Sequence, residues 1–130
     1  MSITIVRKTD LFKTSRNIRT DAYETFRFLL AEDGFGLTLT DIVLQPQIEK
    51  TYGYEDNLEI AYFIEGRAKL TDNSNTTVHL IEPGTLWVAP AKTYFSFITD
   101  LPTRLICIFN PALEGHETGF AKKLARKIVK

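Results

Sequence analysis

Apolar and polar residues alternate one by one through most of the middle of the chain, the period of a strand with one buried and one wetted face. The pattern is clearest in residues 37–44, 58–64 and 67–70, and it returns in 77–81, 85–88, 93–98 and 104–109. Turn-forming residues stand between these runs: Glu65-Gly66, Asp72 to Asn75, Pro83-Gly84, Pro90 and Leu101-Pro102. Seven or more short strands at a spacing of roughly 10 residues predict a β-sandwich or barrel. Upstream, Thr25-Phe-Arg-Phe-Leu-Leu30 alternates up to the turn Glu32-Asp33-Gly34 and is expected to be a strand. A helix is the alternative there, because Asp21 can cap it and Tyr23, Phe26, Leu29 and Leu30 share helical spacing. Residues 3–6 make a further short alternating run.

The end of the chain breaks this pattern. Phe120, Leu124 and Ile128 recur at i, i+4 and i+8 among five basic and no acidic residues, which predicts a basic amphipathic helix. The chain is therefore divided into a barrel, 1–119, and a tail, 120–130. A solvated terminal helix is the default for such a tail, and contact with an anionic membrane, an acidic partner or a second copy is the alternative.

Composition narrows the possibilities. At 130 residues and 44% hydrophobic, the chain suits one domain whose core needs no covalent staples. Sixteen basic residues balance sixteen acidic ones, so the broad positive footprint of a nucleic-acid binder is missing. The balance is uneven, since the five basic residues of the tail leave eleven against sixteen acidic ones in 1–119. The single cysteine, Cys107, excludes an internal disulfide or a multi-cysteine metal site, and two histidines, His79 and His116, exclude a three-histidine site. No apolar run approaches the ~18 residues of a membrane span and the start does not read as a signal peptide, so a soluble, cytoplasmic protein is expected.

Two segments resemble the paired motifs of cupins. Glu59-Ile-Ala-Tyr-Phe-Ile-Glu-Gly66 resembles the first, with a glutamate on an inward strand seven residues before a turn glycine. Ile81-Glu-Pro-Gly-Thr-Leu-Trp87 resembles the second, whose Pro-Gly turn feeds the next strand. The fold implied is all-β, a double-stranded β-helix or jelly-roll barrel. A closer resemblance covers about residues 20–119, through Arg27 to Gly36, Tyr54 to Glu59, Tyr62 to Gly66, Pro83 to Thr85 and Cys107 to Gly115. In these stretches the chain is similar to ectoine synthases, small cupin cyclodehydratases of osmolyte biosynthesis. The resemblance implies a lyase acting on an N-acetylated diaminobutyrate. The free amine attacks the acetamide carbonyl, water leaves and a cyclic amidine forms.

The same resemblance implies iron held by a glutamate, a tyrosine and a histidine. The glutamate falls on Glu59, whereas Trp87 and Phe95 occupy the other two positions. An indole N–H only donates and phenylalanine has no lone pair, so neither replaces a metal ligand. Of the other implied positions, an arginine falls on Arg27, a tyrosine on Tyr54, wall residues on Cys107 and Phe109, and a late glutamate on Glu117. Tyr23, Ile42 and Gly119 stand where a tryptophan, a threonine and a histidine are implied.

Each residue also has a plainer role. Arg27 is a carboxylate clamp or a salt-bridge partner. Glu59 is a general base, residual ligand or hydrogen-bond acceptor, or else half of a buried structural pair. Tyr54 is a proton donor or a rim aromatic. Trp87 and Phe95 fill the space of a metal or form an aromatic wall. Cys107 is an inert core thiol or a nucleophile, His116 a solvated loop residue or an acid/base group, and His79 is structural or exposed. The leading expectation is the cyclodehydratase, with Arg27 for the carboxylate, Glu59 for the amine proton, Tyr54 for the amide oxygen, and Trp87, Phe95 and Phe109 as a dry wall. A metal-independent isomerase or epimerase and a non-catalytic small-molecule-binding cupin are the alternatives. The expected partners are a small carboxylate ligand and, through open sheet edges, a second copy of the chain.

Overall fold

The computed structural model describes residues 2–117, so the helix expected at 120–130 and the position of Gly119 lie outside the described residues. One turn of helix, α1 (Lys8–Leu11), precedes ten strands among the described residues. These are β1 (Asn17–Arg19), β2 (Tyr23–Leu29), β3 (Thr38–Leu44), β4 (Glu49–Tyr52), β5 (Leu58–Glu65), β6 (Ala68–Asp72), β7 (Val78–Ile81), β8 (Leu86–Ala89), β9 (Phe95–Thr99) and β10 (Thr103–Asn110). One sheet has the order β1-β2-β3-β10-β5-β8 and the other β4-β9-β6-β7, and all pairings are antiparallel. This is the sandwich or barrel expected from the alternation, in the all-β jelly-roll form that the cupin resemblance implies.

Alternation decides which side chains face inward. In β10, Thr103, Leu105, Cys107 and Phe109 are buried while the residues between them are half-exposed. Glu59, Ala61 and Phe63 of β5 and Phe95, Phe97 and Thr99 of β9 face the same interior. Phe63, Phe97 and Phe109 are almost wholly buried, and each such side chain contributes roughly 2–3 kcal/mol to stability. Gly66, the turn glycine after β5, has φ +109°, and a Cβ there would lie 2.5 Å from Thr103 Oγ1 and 2.6 Å from the Pro102 carbonyl oxygen. The turn can pass this close to β10 only without a side chain.

Residues 23–29 form a strand and not the alternative helix. Residues 3–6 form no strand, and Ile3 and Ile5 are exposed; the strand beside β2 is β1, which pairs Asn17 with Phe26. The short polar strands β1 and β4 carry no alternation that would announce them. α1 packs on the outside of β2 and β3, where Phe12 lies 5.7 Å from the Phe26 ring and Lys8 4.7 Å over it. Buried Asp41 receives Lys8 at 3.1 Å and Arg104 at 2.7 Å, so a cation on each side holds the helix turn and β10 to β3.

After β10 the chain folds back over one end of the barrel. The Leu113 N–H donates to Thr38 Oγ1 at 2.7 Å, the Leu113 carbonyl accepts from Ala31 N–H at 2.8 Å, and Asn57 Nδ2 donates to the Pro111 carbonyl at 2.8 Å. These bonds place residues 113–117 beside the mouth of the interior.

Candidate functional site

The two inner faces do not close on one another. Between them lies a cavity of about 230 Å³, which suits one small metabolite and not a polymer. Strand register explains its walls. Arg27 pairs with Thr40, Thr40 with Cys107, Cys107 with Ala61 and Ala61 with Trp87, so one inward row runs across β2, β3, β10, β5 and β8. The second sheet supplies Tyr52, Phe95 and Phe97 opposite this row. Tyr54, just after β4, stands edge-on to Phe109 with ring centroids 4.7 Å apart.

The residues singled out from the sequence, Tyr23, Arg27, Tyr54, Glu59, Trp87, Phe95, Cys107, Phe109 and Glu117, all line this cavity. Ile42 lines it as well, and so does His116, whose side chain is 81% exposed at the mouth. His79 lies away from the cavity, on exposed strand β7. Sequence reasoning missed Thr25, Thr40, Tyr52 and Phe97. Threonine at inward positions of alternating strands was the available signal for Thr25 and Thr40, while Tyr52 sits in polar β4.

Four buried side-chain atoms among the described residues have no hydrogen-bond partner: Thr25 Oγ1, Thr40 Oγ1, Glu59 Oε1 and Trp87 Nε1. All four residues line the cavity. A buried polar group without a partner costs roughly 1–3 kcal/mol, so such groups do not gather by chance in one apolar space. They offer a ligand two hydroxyls, an acceptor on Glu59 and a donor on Trp87.

Glu59 is only 8% exposed. Burial pushes its carboxyl up from 4.5 to about 7, against the smaller opposing effect of the Cys107 thiol. Near neutral pH it is therefore shared between acid and carboxylate, the condition under which a group both gives and takes protons. Burial, then neighbouring Glu59, pushes the Cys107 thiol well above 9, which makes it an inert thiol and not a nucleophile. The same two influences push the Tyr54 phenol well above 10, so it stays protonated and keeps an O–H to donate.

Arg27 Nη1 donates to the Gly115 carbonyl and Nη2 to the Glu117 carbonyl at 3.3 Å. It has no salt bridge to a carboxylate among the described residues, and its remaining N–H groups are available to a ligand. Glu117 turns its carboxylate to its own loop, accepting from the N–H of Glu114 at 3.0 Å and of Gly115 at 2.9 Å. Burial pushes that carboxyl up, and the backbone donors outweigh it and hold the group below its ordinary value. Glu117 thus shapes the loop that Arg27 grips. Gly115 has φ +119°, and a Cβ there would meet Leu30 Cδ1 at 3.4 Å, so a side chain would strain this loop at its contact with Arg27.

With the site in view, comparison with known proteins places the chain. The family model described as ectoine synthase matches residues 3–122. The chain belongs to the ectoine synthase family. The L-ectoine synthase of Mycolicibacterium vanbaalenii is 28% identical over 114 residues, 87% of this chain and 88% of that one. The crystal structure of ectoine synthase from P. lautus matches with a TM-score of 0.80 and 25% identity, over 87% of this chain and 81% of that one. An RmlC-like cupin from Shewanella frigidimarina, with a TM-score of 0.61 and 14% identity over 72% of this chain and 79% of that one, shows the cupin barrel alone.

The iron that the family resemblance implies does not fit these residues. Glu59 is a suitable oxygen donor, but Trp87 and Phe95 offer no lone pair to a metal. Glu117 gives its oxygens to backbone N–H groups, and His116 is exposed. No group of three or more His, Cys, Asp or Glu side chains that could hold a metal occurs among the described residues. The aromatic rings instead pack together: Trp87 lies 5.4 Å from Phe97 and 6.2 Å from Phe95.

Proposed function

We propose that the chain is an ectoine-synthase-like cyclodehydratase, a carbon–oxygen lyase. It would close a cyclic amidine by loss of water from an N-acetylated diaminobutyrate or a related small carboxylate. The observation that carries this is the meeting, in one mostly apolar cavity, of the Arg27 guanidinium with a Glu59 carboxyl that titrates near 7. A carboxylate-bearing substrate needs the first, and a condensation that moves protons from nitrogen to oxygen needs the second.

In this reading Arg27 receives the substrate carboxylate, while its bonds to the Gly115 and Glu117 carbonyls hold the guanidinium at the mouth. Ionised Glu59 takes a proton from the attacking amine as the new C–N bond forms. The C=O electron pair moves to the acyl oxygen, which accepts hydrogen bonds from protonated Tyr54 and takes up a proton. A second proton passes by way of Glu59 from nitrogen to that oxygen, the C–O bond breaks and one water leaves. Both hydrogens of the water therefore come from the attacking nitrogen. Phe95, Phe97 and Phe109 line the site with apolar surface, which favours the dehydrated product and strengthens each polar contact.

Incubation with the acetylated diaminobutyrates, with and without ferrous iron, followed by mass spectrometry, tests the proposal. Loss of one water is expected. No turnover in either condition would overturn the lyase, and a tightly retained unreacted ligand would instead favour the non-catalytic binding cupin.

No helix of the described residues is long and apolar enough to cross a membrane. We further propose that the expected homodimer forms at the edge strand β8, where the outward side chains Leu86 and Val88, with Tyr62 of β5, are about half exposed. Light scattering tests this, and a monomer would contradict it.

A further inference from the structure

We propose that the indole N–H of Trp87 is a second hydrogen-bond donor to the substrate's acyl oxygen, beside Tyr54, and that it does the polarising work the family resemblance assigns to a metal. This inference rests on the cyclodehydratase reading and names the group that activates its electrophile.

Three observations carry it. The first is that Trp87 Nε1 is buried without a partner, although an indole nitrogen can only donate. The second is that the ring is fixed. Phe97 lies 5.4 Å from it at 35°, Phe95 6.2 Å at 77° and Phe63 6.4 Å at 42°, so the direction of the N–H is set before any ligand arrives. A donor held in place in an apolar wall acts on developing negative charge without reorganising.

The third is register. Ala61 pairs with Trp87 and Ala89 with Glu59, which makes Trp87 and Glu59 diagonal neighbours on the inner faces of β8 and β5. Diagonal residues stand about 7–8 Å apart at the backbone, and the residues completing this square are both alanines. The other orphaned atom on these two strands is Glu59 Oε1. Once the C=O pair has shifted, the acyl oxygen has three lone pairs, enough to accept from the indole and from Tyr54 and to take up the proton that Glu59 carries from the amine. Arg27 is at the opposite end of the inward row that ends in Trp87. A bound amino-acid derivative would thus have its carboxylate at one end and its acyl group at the other.

The step balances without a metal. As the amine nitrogen bonds to the acyl carbon, ionised Glu59 takes one of its two protons and the C=O pair moves to oxygen, held by the Trp87 N–H. Glu59 gives that proton to the oxygen, then takes the second proton from the nitrogen and passes it to the same oxygen, which leaves as water. Glu59 ends as the carboxylate it began as. The indole proton is never transferred.

Trp87 is the single tryptophan of the chain, so its side chain gives one indole N–H resonance in a nitrogen-15 spectrum of the full-length protein. Titration with the acetylated diaminobutyrate that the protein turns over should move this resonance downfield. Unacetylated diaminobutyrate, which has no acyl oxygen, should leave it in place while still binding through Arg27. Trp87→Phe keeps an aromatic ring and removes the donor, and kcat should fall about a hundredfold with a smaller change in KM. An indole resonance unmoved at saturation, or undiminished turnover by Trp87→Phe, would overturn the inference while leaving the cyclodehydratase standing. Absence of both binding and turnover in the unmodified protein would overturn both.

Discussion

Glu59 makes the stability of this protein depend on pH in a direction that can be worked out beforehand. Its carboxyl is displaced from 4.5 to about 7 in the folded chain, chiefly by burial. Between these values the folded state holds a proton that the unfolded state has released, so stability falls as pH rises. The contribution is whole below 4.5 and is lost as pH climbs through about 7. At about 1.4 kcal/mol per pH unit the displacement corresponds to roughly 3 kcal/mol. Glu59→Gln keeps the shape and removes the ionisation. Urea unfolding of both proteins at about pH 4 and about pH 8.5 isolates the effect, because all other titrating groups are shared. Relative to the variant, the parent chain should lose roughly 3 kcal/mol between the two conditions. An unchanged difference, or a parent that gains relative stability at the higher pH, would refute the assignment of Glu59 as a buried carboxyl held toward its neutral form.

Three further outcomes follow from other parts of the molecule. Arg27→Lys cannot offer a carboxylate the guanidinium fork while holding the Gly115 and Glu117 carbonyls, so steady-state kinetics should show KM raised about tenfold or more with kcat less affected. Asp41→Ala removes the anion shared by Lys8 and Arg104 and should destabilise the fold by about 1–2 kcal/mol in urea, a modest value because both cations are more than a third exposed and can return to water. Dialysis against a chelator should leave turnover within about twofold, since Trp87 and Phe95 offer no metal ligand. Recovery of a lost activity by ferrous iron alone would contradict that.

The barrel was legible because one face of most strands is buried, so the period of two is written in 37–44, 58–64 and 104–109. β1 and β4 were not legible, because both are short and polar and are held by pairing to β2 and β9, which no local pattern records. Residues 3–6 show the converse: an alternating run that pairs with no strand. At the site, Arg27, Glu59 and Trp87 could be named from motif positions, but their alignment in one cavity depends on register across five strands. Whether Glu117 faced a ligand or its own loop was also beyond reach, since its carboxylate is claimed by backbone N–H groups one turn away. The height of the Glu59 carboxyl depends on burial from every side, which sequence does not express.

The central claim is that this cavity removes an acyl oxygen as water through its own side chains. The most direct measurement uses acetylated diaminobutyrate carrying oxygen-18 in the acetamide, given to chelator-treated protein. The account predicts labelled water and an unlabelled cyclic amidine from the parent chain, and at least a hundredfold less, on the order of what general acid–base catalysis supplies, from Glu59→Gln. Label retained in the acetylated starting compound by the parent chain, with or without added ferrous iron, would contradict it.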